Sequence, residues 1–125
     1  MHRAALLIAL ALAACATVPA ASAGPTAGFG QVARTDGPSV RPISLIEDSR
    51  CPVDVQCVWA GRVQILAEID LRGGSETLRR EITLGEPIAI DDGKLTLVAA
   101  EPVPNALTRP NLNAYRFTFR FERRD

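Results

Sequence analysis

The C-terminal segment of the chain carries the pattern that most restricts its fold. Within residues 114–122, one tyrosine and three phenylalanines alternate with polar or charged residues, at Tyr115, Phe117, Phe119 and Phe121. Successive side chains of a β-strand point to opposite faces, so this spacing gives one aromatic face and one charged face. A helix would scatter the four rings around its circumference. We therefore predict a strand and expect its aromatic face to form the centre of the core.

Shorter segments upstream show the same alternation. Two of them, residues 62–72 and 76–84, flank Gly73-Gly74 and predict a hairpin, because glycine permits the positive φ angles of a tight turn. Further strands are predicted over residues 29–34, 43–48, 87–90 and 94–100, and a surface loop over 101–113. The predicted fold class is all-β, a small antiparallel β-sandwich or partly closed barrel of about 6–7 strands with one short disulfide-closed loop.

The N-terminal residues predict a secretory signal peptide. A short cationic start precedes an apolar run from Ala4 to Ala14, which is shorter than the roughly 20 residues of a membrane span. The sequence Leu12-Ala13-Ala14-Cys15 is typical of a bacterial lipobox and predicts lipidation of Cys15. The alternative is ordinary secretion with cleavage after Ala23, which ends an Ala-Ser-Ala sequence and would release a soluble periplasmic protein.

These processing signals divide the chain into three parts. Residues 1–14 are the predicted signal peptide, residues 15–28 a lipidated cysteine with a flexible tether, and residues 29–125 a single β-domain. Residues 16–28 are almost all small residues or proline, and this composition offers nothing that would anchor a core. We expect an exported protein that is held at a bacterial membrane by its lipid and faces the periplasm or the exterior.

The number of cysteines predicts a disulfide. Three cysteines in an exported chain leave one without a partner. Lipidation of Cys15, or its loss by cleavage after Ala23, leaves Cys51 and Cys57 as a pair in both cases. Their C-x₅-C spacing differs from that of zinc sites and of redox dithiols, so we predict a structural disulfide and no metal site. Closure of this short loop is worth about 2–2.5 kcal/mol in the chain-entropy model.

The segment around these cysteines is unlike the rest of the chain, since it also holds the only tryptophan, a proline and several charges. One interpretation is a rigid loop that presents Arg50, Asp54, Gln56 and Trp59 to a partner. The other is a loop that only closes one end of the sandwich, with Trp59 packed against the disulfide and buried. Both interpretations are compatible with the sequence.

The same segment resembles a known pattern. Residues 48–61 read D-S-R-C-P-x-x-V-x-C-V-W-A-G, which is similar to the signature of a family of small bacterial secreted proteins and lipoproteins. In that family a β-hairpin follows, and a Glu-Pro-x-Pro stretch precedes a final strand that starts near a tyrosine. Residues 101–104 and Tyr115 match this arrangement. The resemblance covers roughly residues 43–121 and implies a shared fold and disulfide, but no activity.

The charge balance and the histidine content argue against nucleic-acid binding and against chemistry that uses histidine. The chain has 14 basic and 14 acidic residues, so it lacks the basic excess that nucleic-acid binding requires, and no nucleic acid is expected as a partner. Removal of residues 1–14 also removes the only histidine, which is the commonest general base and zinc ligand. No phosphate-binding loop or other cofactor motif is present, and no cofactor is expected.

The sequence therefore favours a non-enzymatic envelope lipoprotein with a binding or structural role. We expect a monomer that contacts the membrane through its lipid and an envelope protein through the Cys51–Cys57 loop. An alternative is a secreted inhibitor of a hydrolase, such as a peptidase or lysozyme, because a preorganised loop lowers the cost of ordering on binding. A third hypothesis is a hydrolase that uses paired carboxylates, for which the acidic pairs are Glu47-Asp48 and Asp91-Asp92.

Overall fold

The computed structural model describes residues 24–107 and 109–124, so the predicted signal peptide and the lipidation site Cys15 lie outside the described residues. Two antiparallel sheets of four strands each make up the fold. The strands are β1 (Thr26–Ala27), β2 (Ala33–Arg34), β3 (Ser39–Asp48), β4 (Val63–Asp70), β5 (Thr77–Thr83), β6 (Ile88–Ile90), β7 (Gly93–Glu101) and β8 (Arg116–Arg123). One sheet has the order β1-β8-β7-β6 and the other the order β2-β3-β4-β5. The predicted small all-β sandwich is confirmed, with eight strands in place of six to seven.

The core lies between the sheets and follows the alternation in the sequence. On β8, Phe117 and Phe119 are fully buried, and the ring of Phe29 packs edge-on against that of Phe117 with 5.1 Å between centroids. The inward residues of β4 are also fully buried, at Val63, Ile65, Ala67 and Ile69. Phe121 is only half-buried at the edge of this core. The prediction that the C-terminal aromatic strand forms the centre of the core is confirmed.

The predicted glycine hairpin is also present. β4 and β5 pair in antiparallel register and are joined by a single 3₁₀ turn at residues 72–74. Gly73 and Gly74 have φ angles of 79° and 68°, and a side chain at either position would meet no atom within 4 Å. Backbone conformation rather than space therefore requires glycine in this turn.

The domain begins before residue 29, where the sequence analysis placed its boundary. β1 pairs with β8, and its Ala27 is only 1% exposed. The carbonyl of Pro25 accepts a hydrogen bond from the N–H of Phe119 at 3.0 Å. The prediction of a flexible tether over residues 15–28 is therefore wrong for residues 24–28, which belong to the sandwich. This two-residue edge strand is held by backbone hydrogen bonds, the small side chain of Ala27 and a hydroxyl bond between Thr26 and Thr118, and none of these produces an alternating apolar pattern.

Two other strands differ in extent from their predictions. Of residues 29–34 only β2 is strand, because the chain turns beforehand, where the side-chain carbonyl of Gln31 accepts the N–H of Gly28 at 2.8 Å. β3 is longer than the predicted 43–48 and runs back through Pro42, which is buried. The register with β4 shifts directly after Pro42, and such a bulge is where a strand accommodates a residue without an N–H.

The two ends of the sandwich differ. At one end, which we call the loop end, residues 49–62 connect β3 to β4 and residues 102–115 connect β7 to β8. The opposite end holds the glycine hairpin and the turn between β6 and β7, which are joined by the bond from Arg72 to Asp91. Gly24 lies beside Phe119, and β1 runs from there towards the loop end because it is antiparallel to β8. The described chain therefore begins beside the middle of β8 and outside both loops.

Candidate functional site

The loop end brings together the two longest connections of the described fold. We call residues 49–62 the disulfide loop and residues 102–115 the proline-rich loop. The N–H of Val53 donates to the carbonyl of Pro104 at 3.1 Å, and the N–H of Ala106 donates to Oδ1 of Asp54 at 2.8 Å. These two bonds hold the loops side by side although they lie about fifty residues apart in sequence.

The predicted disulfide is confirmed. Cys51 and Cys57 are bonded, and their Cα atoms lie 5.8 Å apart. Within the closed segment, the N–H of Val55 donates to the carbonyl of Pro52 at 3.3 Å and forms a turn. The disulfide therefore fixes a compact turn at the point where the loop meets its neighbour.

A half-buried ion pair fixes the base of both loops. The guanidinium of Arg50 donates to the two carboxylate oxygens of Asp48, at 2.9 Å each, from Nε and Nη2. The same group donates to the carbonyls of Ala100 at 2.7 Å and Pro102 at 3.0 Å, at the start of the proline-rich loop. The hydroxyl of Tyr115, at the other end of that loop, donates to Oδ2 of Asp48 at 2.6 Å. One bidentate pair thus connects the end of β3 to both ends of the proline-rich loop.

The pKa values in this cluster follow from burial and hydrogen bonding. Burial raises the pKa of Asp48, but the hydrogen bonds from Arg50 and Tyr115 outweigh it and hold that pKa below its ordinary value. Burial and the neighbouring Asp48 carboxylate raise the pKa of Tyr115 to about 12. At neutral pH Asp48 is therefore an ionised acceptor and Tyr115 a neutral donor.

A cleft of about 620 Å³ opens between the two loops. Its floor includes Asp48, Arg50 and Tyr115, and Arg109 lines it from the proline-rich loop. The remaining lining residues are mainly prolines and aliphatic side chains, namely Leu45, Pro52, Pro104, Asn105, Ala106, Leu107, Pro110 and Leu112. This size is within the range of ligand sites, but Asp48 is already occupied by internal donors. The cleft can therefore receive an apolar group but offers no free carboxylate for acid–base chemistry.

Exposed apolar side chains are concentrated at the same end. Among the described residues, seven of the eight large apolar side chains that are exposed belong to the two loops. We call this set the loop surface, which comprises Val53, Val55, Val58, Trp59, Val103, Leu107 and Leu112. The indole of Trp59 is 65% exposed, and Val58 is 94% exposed. A concentration of exposed apolar side chains at one end of a domain is typical of a contact surface.

The four residues predicted to face a partner differ in their exposure and in their contacts. Arg50 is turned inward, with its side chain 14% exposed, so it holds the loops together rather than facing a partner. Asp54 is exposed but accepts the inter-loop bond from Ala106. Gln56 is exposed. Trp59 is exposed too, so the interpretation in which it is buried against the disulfide is wrong.

The acidic pairs take part in surface and structural contacts. Glu47 accepts from Nε of Arg62 at 2.6 Å, on the exposed side of the sheet. Asp91 accepts the N–H of Arg72 at 2.9 Å, at the end opposite the loop surface. Within residues 24–107 and 109–124, no three His, Cys, Asp or Glu side chains are grouped so that they could hold a metal ion. In the same part of the chain, no helix has the length and apolar character needed to cross a bilayer.

The sequence analysis missed the contribution of the proline-rich loop. Tyr115 was predicted as a core aromatic and as part of the motif resemblance, and Asp48 as half of an acidic pair and the first residue of the motif, but no contact between them was predicted. A signal was available, because a carboxylate and a guanidinium two residues apart at a strand end can form a local pair. The partner hydroxyl lies 67 residues away from Asp48, and only the fold brings it there.

Comparison of the chain with protein-family models, curated proteins and solved structures finds no match. The function is therefore argued from the loop end itself.

Replacement of Arg50 by alanine is expected to lower the free energy of unfolding by about 3 kcal/mol, because it leaves the Asp48 carboxylate half-buried without its cation. Urea unfolding followed by circular dichroism measures this loss. The matched control is Arg62→Ala, which removes the exposed pair with Glu47 and is expected to lower the free energy of unfolding far less, because solvent screens that pair. Adding Asp48→Asn to Arg50→Ala is expected to restore part of the stability, because it removes the carboxylate that has lost its cation. Equal losses of unfolding free energy in Arg50→Ala and Arg62→Ala would contradict the stabilising role of the Asp48–Arg50 pair.

Stability is also expected to fall at high pH through Tyr115. Its pKa is raised from 10.0 to about 12 in the folded chain, so its contribution is complete below pH 10 and disappears as the pH rises to about 12. A shift of this size corresponds to about 3 kcal/mol. Urea unfolding between these pH values measures the loss, and Tyr115→Phe is expected to remove this part of the pH dependence. Tyr115 is the only tyrosine, so tyrosinate absorbance reports it directly. Ionisation of the folded protein near pH 10 would contradict the buried hydrogen bond.

Proposed function

We propose that this chain is an exported, non-enzymatic envelope lipoprotein, anchored through Cys15, whose loop surface binds another protein. The observation that carries the proposal is the concentration of seven of eight exposed large apolar side chains, among the described residues, on two adjoining loops. Isolated apolar residues are common on protein surfaces, but a cluster at one end of a domain marks an interaction site. The motif resemblance to small bacterial secreted proteins and lipoproteins supports export.

The construction of the loops favours binding over simple closure of the sandwich. A loop that only closed the end would bury Trp59, and the indole is 65% exposed. The disulfide, the Val53–Pro104 bond and the Arg50 contacts with β7 and the proline-rich loop fix the loops before any partner arrives. Such preorganisation lowers the entropic cost of association. Exposed tryptophan is also the side chain most enriched among residues that dominate binding energy.

The point at which the chain enters the domain is compatible with a protein as the occupant of this surface. The described chain begins at Gly24 beside Phe119 and continues into β1, an edge strand of the sheet β1-β8-β7-β6. A lipid on Cys15 would therefore attach the domain through the edge of one sheet and not through either loop. This attachment leaves the loop surface accessible to a protein.

Inhibition of a hydrolase is the second candidate for this surface. The observation in its favour is the segment Val53–Trp59, which combines exposed apolar side chains with a disulfide. Arg50 is not available to such a target because its donors are used inside the protein. An inhibitor would therefore act through Val53, Val58 and Trp59.

Binding is tested by in-cell crosslinking and affinity capture from envelope extracts. The double variant Val58→Ser/Trp59→Ser is expected to weaken capture of a partner at least about tenfold, because it removes two exposed apolar side chains from the contact. The matched control is Ile46→Ser, since Ile46 is the one exposed large apolar residue of the described chain outside the loop surface. A partner set that is identical for both variants would overturn the proposal. Inhibition of a peptidase or lysozyme by the wild type, lost only in the double variant, would identify the second candidate.

The anchor is tested separately. Mass spectrometry of the membrane-extracted protein is expected to show lipid on an N-terminal Cys15. Cys15→Ser is expected to abolish the lipid mass and to release the protein from the membrane fraction. A mature N-terminus at Gly24 in the wild type would overturn the lipoprotein assignment and would leave the binding surface unaffected.

A further inference from the structure

β5 is the one edge strand of the described fold that is longer than three residues. The four edge strands are β1, β6, β2 and β5, and the first three have only two or three residues. β5 has seven residues and no strand on its outer side. An open edge of this length presents unpaired backbone groups that another chain can extend.

The backbone groups on the open edge are identified by the bonds at either end of β5. The N–H of Leu84 donates to the carbonyl of Val63, and the carbonyl of Glu76 accepts the N–H of Leu71. The N–H and C=O groups of the even-numbered residues of β5 therefore point towards β4. The pairing of β4 with β5 has no register shift, so this holds along the whole strand. The N–H and C=O groups of Thr77, Arg79 and Glu81 consequently point outward.

The sequence of β5, Thr-Leu-Arg-Arg-Glu-Ile-Thr, is nearly self-complementary about its central residue Arg80. In an antiparallel pair centred there, Arg79 of one copy lies opposite Glu81 of the other, on the outer face of the sheet. Leu78 lies opposite Ile82 on the core face. Both contacts occur twice by symmetry, and cross-strand pairs of these types are stabilising.

Arg80 is the exception to this complementarity. It lies between Leu78 and Ile82 on the core-facing side of β5, where Ile82 is buried, yet Arg80 itself is exposed. Among the ion pairs of residues 24–107 and 109–124, Arg79 is joined to Glu68, whereas Arg80 takes part in none. In the symmetric pair it would lie directly opposite its own copy, and two like charges in that position destabilise the pair. A charged residue on the inner face of an edge strand is a known means of preventing edge-to-edge association.

We propose that β5 is a self-association edge with a defined register, and that the charge of Arg80 keeps the protein monomeric. Once that charge is removed, the occupant of this edge is a second copy of the chain, which would extend the sheet β2-β3-β4-β5 across a two-fold axis. This surface is independent of the loop surface. We expect that removal of the charge of Arg80 changes the oligomeric state, and that the charges at positions 79 and 81 then determine whether the dimer forms.

The experiment measures the mass of the full mature chain by sedimentation in mild detergent. The wild type is expected to be a monomer, and Arg80→Val a dimer of twice the mass. Arg79→Val is the matched control, since it removes an arginine from the outer face of the same strand and is expected to stay monomeric. Adding Glu81→Arg to Arg80→Val places arginine opposite arginine and is expected to restore the monomer. Adding Arg79→Glu as well restores opposite charges and is expected to restore the dimer.

Three outcomes overturn the proposal. The first is a folded Arg80→Val protein that remains monomeric, and Arg80→Thr repeats the test with a more polar side chain if the valine variant does not fold. The second is a dimer of Arg80→Val that persists with Glu81→Arg, because the copies would then associate through another surface. A wild-type dimer that is insensitive to Arg80 also overturns it. None of these outcomes depends on whether the loop surface binds a partner.

Discussion

The arrangement of the loop end depends on a single half-buried ion pair between Asp48 and Arg50. An ion pair in this position is costly unless its remaining hydrogen-bonding groups are satisfied. Here the other donors of Arg50 reach two carbonyls next to the proline-rich loop, and Asp48 accepts the hydroxyl of Tyr115. Among the described residues, no buried side-chain nitrogen or oxygen lacks a partner. The pair therefore positions three segments of the chain that neither the disulfide nor the sheets would fix.

This arrangement explains how a domain with a modest core supports two long irregular connections. The sheets end at Asp48 and Glu101, and beyond these points the chain has no ladder to satisfy its backbone groups. The carbonyls of Ala100 and Pro102 are satisfied by Arg50, and the carbonyl of Pro104 by the disulfide loop. Each loop thus supplies the hydrogen-bond partners that the other lacks. Their apolar side chains are left free to face outward.

The regular part of the fold was predictable because it depends on local alternation. Two elements were correctly predicted, the aromatic strand around Phe117 and Phe119 and the glycine hairpin. Both depend on short contiguous stretches of sequence, in which alternation with period two and turn-forming residues can be recognised directly. β1 was not predictable in this way, because it contributes only the small buried side chain of Ala27 and a hydroxyl bond between Thr26 and Thr118, and the rest of its pairing is backbone. Its composition is the same as that of a linker, and only the open edge of β8 determines that it becomes a strand.

The loop end reverses the usual expectation from residue type, and this reversal explains why the candidate site was only partly predicted. Arginine is normally exposed and tryptophan largely buried, so the sequence analysis assigned Arg50 to a partner and allowed for Trp59 inside. The positions are exchanged because Arg50 finds four acceptors in the folded protein, while Trp59 stays exposed on the disulfide loop. A buried charge that is fully hydrogen-bonded gives rigidity, and an exposed indole on a rigid loop gives binding energy on contact. The same exchange that misled the prediction is therefore what favours a binding role over a purely structural one.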